Sequence, residues 1–234
     1  MNTLKPNQSF DYNIADPSPE GKLSALGKLR KDFPGYLFFS WYRFVVLVNS
    51  IFNTYLYRLI LRLKKIDLNS GCRFTGRPVF VRQPLSTIKI GSYCSFRSDK
   101  ISNLIGVNRR CIISTHDKDA EIVIGDNCGF SGVTISAKQK IVIGNDVLVG
   151  ANVIISDFDW HNIDAAMRRM DCISSEPVVI HDNAFIGVNS IVWKGVTIGK
   201  NSVIGANSVV TRDIPDNVIA AGNPCKVIKS ISDK

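Results

Sequence analysis

An aliphatic residue recurs at every sixth position in the C-terminal half of the chain. The positions are Ile180, Ile186, Val192, Ile198, Ile204 and Val210. An α-helix repeats its buried face about every 3.6 residues and a strand every 2, so neither produces a strict period of six. A rung of one short strand and a turn does, if three rungs close a coil of about 18 residues whose inward side chains stack on those of neighbouring coils. The pattern therefore predicts a parallel β-solenoid.

Weaker copies of the repeat lie upstream. The positions that mark successive coils are Ile90, Val107, Ile124, Ile143, Ile180 and Ile198. Their separations are 17, 17, 19, 37 and 18 residues, so we expect one coil in each interval, and 19 additional residues in the fourth. This excess falls between Ile155 and Val178. We therefore predict an inserted loop over residues 156–177 that leaves the solenoid for a reason other than stacking.

Over about residues 72–230 the chain resembles the hexapeptide-repeat, left-handed parallel β-helix superfamily of acyltransferases. The segment Ile180–Lys229, which contains IGVNSIVWKGVTIGKNSVIGANSVVTRDIPDNVIAAGNPCKVIK, is similar over its full length to maltose, galactoside and surface-polysaccharide O-acetyltransferases. Left-handedness is implied by this resemblance, because parallel crossovers are in general right-handed. The expected fold is mainly β: a left-handed β-helix solenoid with an N-terminal helical segment and a C-terminal cap.

We predict three parts. Residues 1–71 form a polar arm and an amphipathic helical segment, residues 72–212 the β-helix acyltransferase domain, and residues 213–234 a cap. The helical segment covers residues 36–66, and its longest uncharged run, 14 residues between two arginines, is shorter than the ~20 residues that span a bilayer. Two alternatives stay open: the helix packs on the solenoid or a neighbouring subunit, or it lies in a membrane interface with its basic residues at the head groups.

Charge and cysteine usage exclude several classes of protein. The formal charge is +9, but the basic residues form no aromatic-interleaved patch, so nucleic acid is not expected. Three alternatives stay open for the charge: anionic lipid, a phosphorylated substrate, or a basic surface that is only solvated. The six cysteines form no CxxC pair, which favours a reducing cytoplasm over a disulfide framework. No secretory signal follows Met1. The expected location is cytoplasmic, at the inner face of the membrane if the helix is interfacial.

His161, in the sequence SDFDWHN at the start of the predicted loop, is the candidate general base. Transfer of an acyl group to a hydroxyl needs a base that titrates near neutrality, as imidazole does. In the resembling acetyltransferases a histidine at the start of a projecting loop has this role. His116 and His181 are interpreted as exposed turn residues, and the spacing of the three histidines does not match a zinc site, so no metal is expected.

Four residues are candidates to support the base or bind the acceptor. Asp157 and Asp159 could orient His161 or form a solvated acidic loop, and Trp160 could stack on a sugar or anchor the loop. Ser131 corresponds, by the resemblance, to an acceptor contact. The resemblance also implies coenzyme A bound along the coil between the subunits of a homotrimer. The matching positions are Val188, Ala206, Thr211, Arg212, Lys226 and Lys229.

The leading hypothesis is an acetyl-CoA-dependent O-acetyltransferase that modifies a sugar or glycan during bacterial surface-polysaccharide biosynthesis. If the protein is an enzyme with another substrate, the alternative is an acetyltransferase for a small xenobiotic or a sugar-nucleotide amine. If it is not an enzyme, the alternative is a non-catalytic β-helix scaffold.

Overall fold

A computed structural model of the chain describes residue 27, residues 30–170 and residues 173–231. The chain divides into two compact units, residues 1–48 and residues 49–234. The first contains the start of a long helix, and the second contains the end of that helix and all the strands.

The helix α1 (Phe33–Leu63) confirms the predicted N-terminal helix. It begins after Asp32, whose carboxylate accepts a hydrogen bond from the backbone N–H of Gly35 (3.0 Å), as an N-cap does. It ends before Lys65, whose φ of 55° is the left-handed conformation common at helix C-termini. Most of the predicted polar arm lies outside the described residues.

Within the described residues, twenty strands form three sheets. In order along sheet A they are β1 (Asp67–Leu68), β4 (Thr87–Ile90), β7 (Glu121–Ile124), β10 (Lys140–Ile143), β13 (Val178–Ile180) and β16 (Thr197–Ile198). In sheet B they are β2 (Arg73–Thr75), β5 (Ser95–Arg97), β8 (Gly129–Ser131), β11 (Leu148–Val149), β14 (Phe185–Ile186), β17 (Val203–Ile204), β19 (Val218–Ala221) and β20 (Lys226–Ser230). In sheet C they are β3 (Val79–Val81), β6 (Ile112–Thr115), β9 (Thr134–Ala137), β12 (Ile154–Ser156), β15 (Ile191–Val192) and β18 (Val209–Val210). Consecutive strands visit the three sheets in turn, which is the predicted β-helix.

The inward positions of successive coils stack in register. In sheet B the rings of Phe74, Phe96 and Phe130 lie in one column, with centroids 5.2 Å and 5.0 Å apart and nearly parallel planes. Ile186 and Ile204 continue the sheet B register toward the C-terminal end, and all five side chains are buried. The six-residue period thus builds one continuous apolar core along the coil axis.

The predicted coil at Val107 is wrong. Ile90 of β4 pairs directly with Ile124 of β7, so a single coil accounts for the 34 residues between them. Residues 98–111 leave this coil as an insertion that the sequence analysis did not predict, and they contain one 3-10 turn (Lys100–Ser102). Val107 is buried because this insertion folds back onto the coil. A buried aliphatic residue of a loop therefore stands at the spacing expected of an inward residue of the coil.

Both ends of the solenoid differ in position from the predicted boundaries. The first strand begins at Asp67, and β19 adds to sheet B parallel to β17, so the coil continues beyond residue 212. The antiparallel strand β20 then pairs with β19. A solenoid leaves unpaired strand groups at its ends, and β20 covers those of sheet B at the C-terminal end.

The last part of α1, residues 49–63, covers the first coil. Two side chains of the helix accept hydrogen bonds from edge amides: Thr54 Oγ1 from Phe74 N–H (3.0 Å), and Asn49 Oδ1 from Gly76 N–H (2.7 Å). Tyr57 stacks on Phe74 with 5.6 Å between centroids and donates its hydroxyl to the carbonyl of Pro78 (2.7 Å). These contacts explain why a coil that begins with an exposed edge needs a helix before it.

By length and composition alone α1 could cross a membrane, although the core helix of a soluble protein can pass the same test. That the segment does not span, as the 14-residue run between Arg43 and Arg58 indicated, stays a prediction, since length and composition alone do not decide it.

Candidate functional site

Two insertions border sheet C on opposite edges. Residues 98–111 connect β5 to β6 at the edge that sheet C shares with sheet B. Residues 157–177 connect β12 to β13 at the edge shared with sheet A, where the sequence predicted a loop. The outer surface of sheet C between them, formed by β6, β9 and β12, is the floor of the candidate site.

Asp157 anchors the second insertion to the coil. Its carboxylate is completely buried and accepts three backbone N–H groups of the preceding coil: Lys138 (2.7 Å), Gln139 (2.8 Å) and Lys140 (2.5 Å). Burial raises the pKa of the Asp157 carboxyl, while these three hydrogen bonds favour its charged form. Aspartate suits this position because its short side chain carries two acceptor oxygens. Together they accept hydrogen bonds from the N–H groups of three consecutive residues at the corner of the coil.

The outgoing and returning chains of the insertion form a hydrogen-bonded stem. The N–H of Asp159 donates to the backbone carbonyl of Ser174 (3.1 Å), and the N–H of Glu176 donates to the backbone carbonyl of Asp157 (2.8 Å). The half-buried carboxylate of Asp159 forms an ion pair with Lys194 at the corner of the following coil. The stem is therefore tied to the coil on both of its sides.

An aromatic cluster covers the stem where it meets sheet C. The ring of His116, which follows β6, lies 5.1 Å from Phe158 and 5.1 Å from Trp160, and those two rings are 4.9 Å apart. His116 Nε2 is 2.9 Å from the hydroxyl of the buried Ser114, which is 3.1 Å from that of Ser136. The insertion is thus attached to two coils of sheet C as well as to their corners.

The environment of His116 favours its neutral form. Partial burial among these groups lowers the pKa of the imidazole, the carboxylate of Asp157 opposes this change, and Lys138 adds to it. Neutral imidazole can either donate to or accept from Ser114, depending on its tautomer.

His161 lies just beyond this cluster and is exposed. Among the residues that the structure describes, it has no hydrogen-bond or ion-pair partner. Asp157 and Asp159, the two predicted orienting groups, have other partners, the corner amides and Lys194. Trp160 is also exposed, and its ring contacts make it an anchor of the insertion. The stem therefore presents the predicted base without an ion pair to any carboxylate among the described residues.

Ser131 lies at the opposite edge of sheet C, under the first insertion. Its hydroxyl accepts a hydrogen bond from the side chain of Asn103 (3.2 Å). Asn152 holds the same insertion through the carbonyl of Gly106 (2.8 Å). Gly132 has a φ of +56°, and a Cβ there would lie 2.8 Å from a carbonyl oxygen of the insertion, so glycine is required. One chain therefore does not bring Ser131 and His161 together.

The predicted donor-binding residues lie toward the C-terminal end of the coil, on both edges of sheet C and beyond. Val188 and Ala206 occupy successive turns at the edge shared with sheet B, with 2.9 Å between the carbonyl of Val188 and the next turn's N–H at Asn207. Thr211 and Arg212 follow β18 at the edge shared with sheet A.

The basic candidates in this region are Arg212, Lys226 and Lys229, and all three are exposed. None of them forms an ion pair within the described part of the chain. Lys226 and Lys229 both belong to β20. Their positive charges are thus available to an anionic ligand.

The sequence analysis missed the role of His116 and the whole of the first insertion. His116 directly follows β6, at the edge where sheet C leads to sheet A, and the second insertion leaves the same edge two coils later, after β12. The sequence shows that these two positions share an edge only when the coil between Ile90 and Ile124 is assigned correctly. No cluster of metal-ligating side chains occurs among the residues described.

Comparison with known proteins agrees with the coil. A family model described as the hexapeptide repeat of succinyl-transferase matches residues 140–156 and 177–212, and its gap coincides with the second insertion. The chain is 44% identical over 102 residues to a galactoside O-acetyltransferase of Escherichia coli (44% of this chain, 50% of that protein). It is 42% identical over 114 residues to Protein CapG of Staphylococcus aureus (47% and 66%).

The chain spans about one third to two thirds of the length of the curated relatives that it matches. A solved structure of AntD, an N-acyltransferase from Bacillus cereus, aligns with a TM-score of 0.52 at 19% identity, over 72% of this chain and 86% of that one, a likeness of fold alone. With its six-residue repeat, its three-sheet coil and a family model that matches residues 140–156 and 177–212, the chain carries the hexapeptide repeat that the sequence predicted and is similar to acetyltransferases that contain it.

Proposed function

We propose that the chain is an acetyl-CoA-dependent O-acetyltransferase that uses His161 as general base and transfers acetyl to a hydroxyl of a sugar. The presentation of His161 carries the proposal: its exposed imidazole, which has no hydrogen-bond partner among the described residues, follows a stem that is tied down at Asp157, Asp159 and Trp160. A rigid support holds a base in place, and the absence of a partner leaves its nitrogens available for a substrate proton.

The relatives support the reaction class. The galactoside O-acetyltransferase of Escherichia coli is named for acetyl transfer to a sugar hydroxyl. The family resemblance of the segment Ile180–Lys229 to surface-polysaccharide O-acetyltransferases extends the proposal to a glycan acceptor in surface-polysaccharide biosynthesis.

The donor residues fit an elongated, phosphorylated ligand. Arg212, Lys226 and Lys229 have no ion-pair partner among the described residues and supply positive charge for phosphates, the lysines as point charges rather than forks. Val188 and Ala206 add apolar or small surface at successive turns, where backbone groups can hold a chain that follows the coil axis. Bound acetyl-CoA supplies the acetyl group as a thioester, which is activated toward attack by oxygen.

His161 takes the proton of the acceptor hydroxyl while that oxygen forms a bond to the acetyl carbonyl carbon. The carbon–sulfur bond then breaks, and the proton on His161 passes to the departing thiolate, so the base is regenerated. Backbone N–H groups of a corner turn would stabilise the negative charge on the carbonyl oxygen. The scheme requires no covalent acyl-enzyme.

The proposed assembly is a homotrimer with sites between subunits. In one chain Ser131 and His161 lie at opposite edges of sheet C, and a coil offers flat faces rather than a pocket. Packing the edge of one coil against the face of another would close the site and bring the two edges together.

The test is acetyl-CoA consumption by the purified chain with a panel of sugars and lipid-linked glycans, each hydroxyl acceptor paired with its amino-sugar analogue. His161→Ala should lower kcat by about 10²-fold or more, because a general base contributes that much. His181→Ala, at an exposed turn of the same solenoid, is the matched control and should retain activity. Unchanged kcat in His161→Ala would remove this residue from the mechanism, and turnover with the amino sugars alone would make nitrogen the acceptor atom.

A further inference from the structure

The part of α1 that covers the coil has a second face that is exposed among the residues the structure describes. Asn53 and Leu61 are buried, and Tyr57 packs on the first coil. Three or four residues apart on the other side of the helix lie Phe52, Tyr55, Leu59 and Leu63, which are 60%, 69%, 58% and 74% exposed. Residues at this spacing share one helix face. We call these four residues the outer stripe.

The same spacing continues upstream in the sequence. Leu37, Trp41, Phe44 and Val48, all within residues 1–48, are each between 47% and 63% exposed. Single exposed apolar residues are ordinary, but a long series of them in one helix marks an interaction surface.

The charge along the helix has one sign. Between Phe33 and Leu63 there is no acidic residue, while Arg43, Arg58 and Arg62 are basic and exposed. Lys64 and Lys65 follow directly. The outer stripe, which includes Tyr55 and lies beside Arg58 and Arg62, is complementary to the interface of an anionic bilayer.

A basic depression adjoins the outer stripe at Leu63. It has a volume of about 400 Å³ and is lined by Leu63, Lys64, Lys65, Phe80, Val81 and Arg82. Lys64 donates to the carbonyl of Phe80 (2.6 Å), and Arg82 donates to the carbonyl of Lys64 (2.9 Å), so these two cations shape its rim. Lys65 has no ion-pair partner within the described part of the chain. The depression therefore offers a free cation beside apolar surface, as a lipid head group requires.

Two other arrangements are less consistent with these observations. A self-association of outer stripes would bring Arg58 and Arg62 of different copies together with no acidic partner on the helix, and like charges repel. A membrane-spanning helix would have to exclude the coil-packed segment after Asn49, which leaves the 16 residues Phe33–Val48, about 24 Å of helix against the ~30 Å of a bilayer core.

We propose that the outer stripe and the basic depression together form a binding surface for anionic lipid membranes, on which the protein lies peripherally. The coil-facing side of α1 stays on the first coil while the opposite side enters the head-group region. This proposal does not depend on acetyl transfer, so its test and that of the proposed function can fail separately.

The experiment is co-sedimentation of the full chain with phosphatidylcholine vesicles that contain, or lack, one quarter phosphatidylglycerol. We expect binding to the anionic vesicles at low salt and release at about 0.5 M salt, where charge attraction is screened within a few ångströms. Arg58→Glu with Arg62→Glu should weaken binding at least about tenfold. The control, Lys118→Glu with Lys200→Glu, reverses two exposed charges of the solenoid and should bind as the parent does.

A second variant, Phe52→Gln with Tyr55→Gln and Leu59→Gln, tests the apolar part, and circular dichroism confirms that it folds. Loss of vesicle binding with an unchanged oligomeric mass supports the proposal. The proposal is overturned if the full chain does not bind anionic vesicles, or if the control pair weakens binding as much as the Arg58 and Arg62 pair. A triple variant that binds vesicles normally but changes oligomeric mass would make the outer stripe a subunit interface instead. Retention on the vesicles at high salt would contradict peripheral binding.

Discussion

The imidazole of His116 packs edge-on against the indole of Trp160, with 5.1 Å between the ring centroids. His116 belongs to the coil and Trp160 to the second insertion, directly before the proposed base, His161. The contact joins the proposed catalytic residue to the solenoid through its immediate neighbour. Removal of His116 should therefore affect the position of His161 without removing any group that handles the proton.

We predict that His116→Ala lowers kcat about tenfold while the chain still folds, because Phe158 and Trp160 lose their shared partner. His116→Phe keeps a ring in the cluster and should recover much of the activity. The measurement is the steady-state kinetics of both variants and of His161→Ala. A loss as large as that of His161→Ala, with no recovery in the phenylalanine variant, would instead indicate that His116 itself transfers the proton.

The pH dependence of stability should contain a contribution from His116. Its pKa is lowered below the ordinary value of 6.5 in the folded chain, so the unfolded chain takes up this proton at a higher pH. The contribution is fully present above about pH 6.5 and is lost as the pH falls through the folded value. Denaturant unfolding of the parent and of His116→Gln at a series of pH values should show curves that run parallel above this range and converge below it. Curves that stay parallel throughout would contradict the assignment.

Substitution of Asp157 should lower the free energy of unfolding much more than substitution of Asp159, although the two residues are only two positions apart. Asp157→Ala leaves three corner amides without their acceptor in a buried position, so the free energy of unfolding should fall by about 3 kcal/mol or more. Asp159→Ala removes one half-buried ion pair with Lys194 and should cost about 1 kcal/mol or less. Equal losses in equilibrium unfolding would show that the anchoring of the stem is not concentrated at Asp157.

Tyr55 and Tyr57 provide a matched pair on α1. Tyr57→Ala removes the stacking on Phe74, a contact with Phe80 and the hydrogen bond to Pro78, so we expect a loss of about 2–4 kcal/mol in unfolding free energy. Tyr55→Ala truncates a side chain that is 69% exposed and should stay within about 0.5 kcal/mol of the parent. Thermal unfolding with the two variants side by side is sufficient, and a reversed order would place the helix differently on the coil.

The basic pair of β20 should act in donor binding. Lys226→Ala with Lys229→Ala is expected to raise the KM for acetyl-CoA with a smaller effect on kcat, because contacts to the phosphates are the same in the ground and transition states. Lys200→Ala, an exposed lysine at a coil turn, is the control. A decrease confined to kcat would assign the pair to a step other than donor binding.

The repeat from Ile180 to Val210 specified its structure from sequence alone because every rung there is short and identical in length. An apolar residue at every sixth position can be buried only if it stacks on the equivalent residue of the next coil. The turns between rungs contain residues that adopt positive φ, such as Asn189 and Asn207. The length of the second insertion followed from the same arithmetic. His161 became a candidate in the same way, since its loop stands out against a regular background, and its role stays a prediction.

Tertiary contacts decided what the period could not. Val107 has the spacing of a rung but lies in an insertion, because burial against a corner and burial inside a coil leave the same apolar signature in sequence. The partners of Asp157 are amides 17 to 19 residues away on another coil, and Trp160 meets His116 across 44 residues. Such contacts depend on which corners lie above one another. That alignment exists only once the coils have stacked.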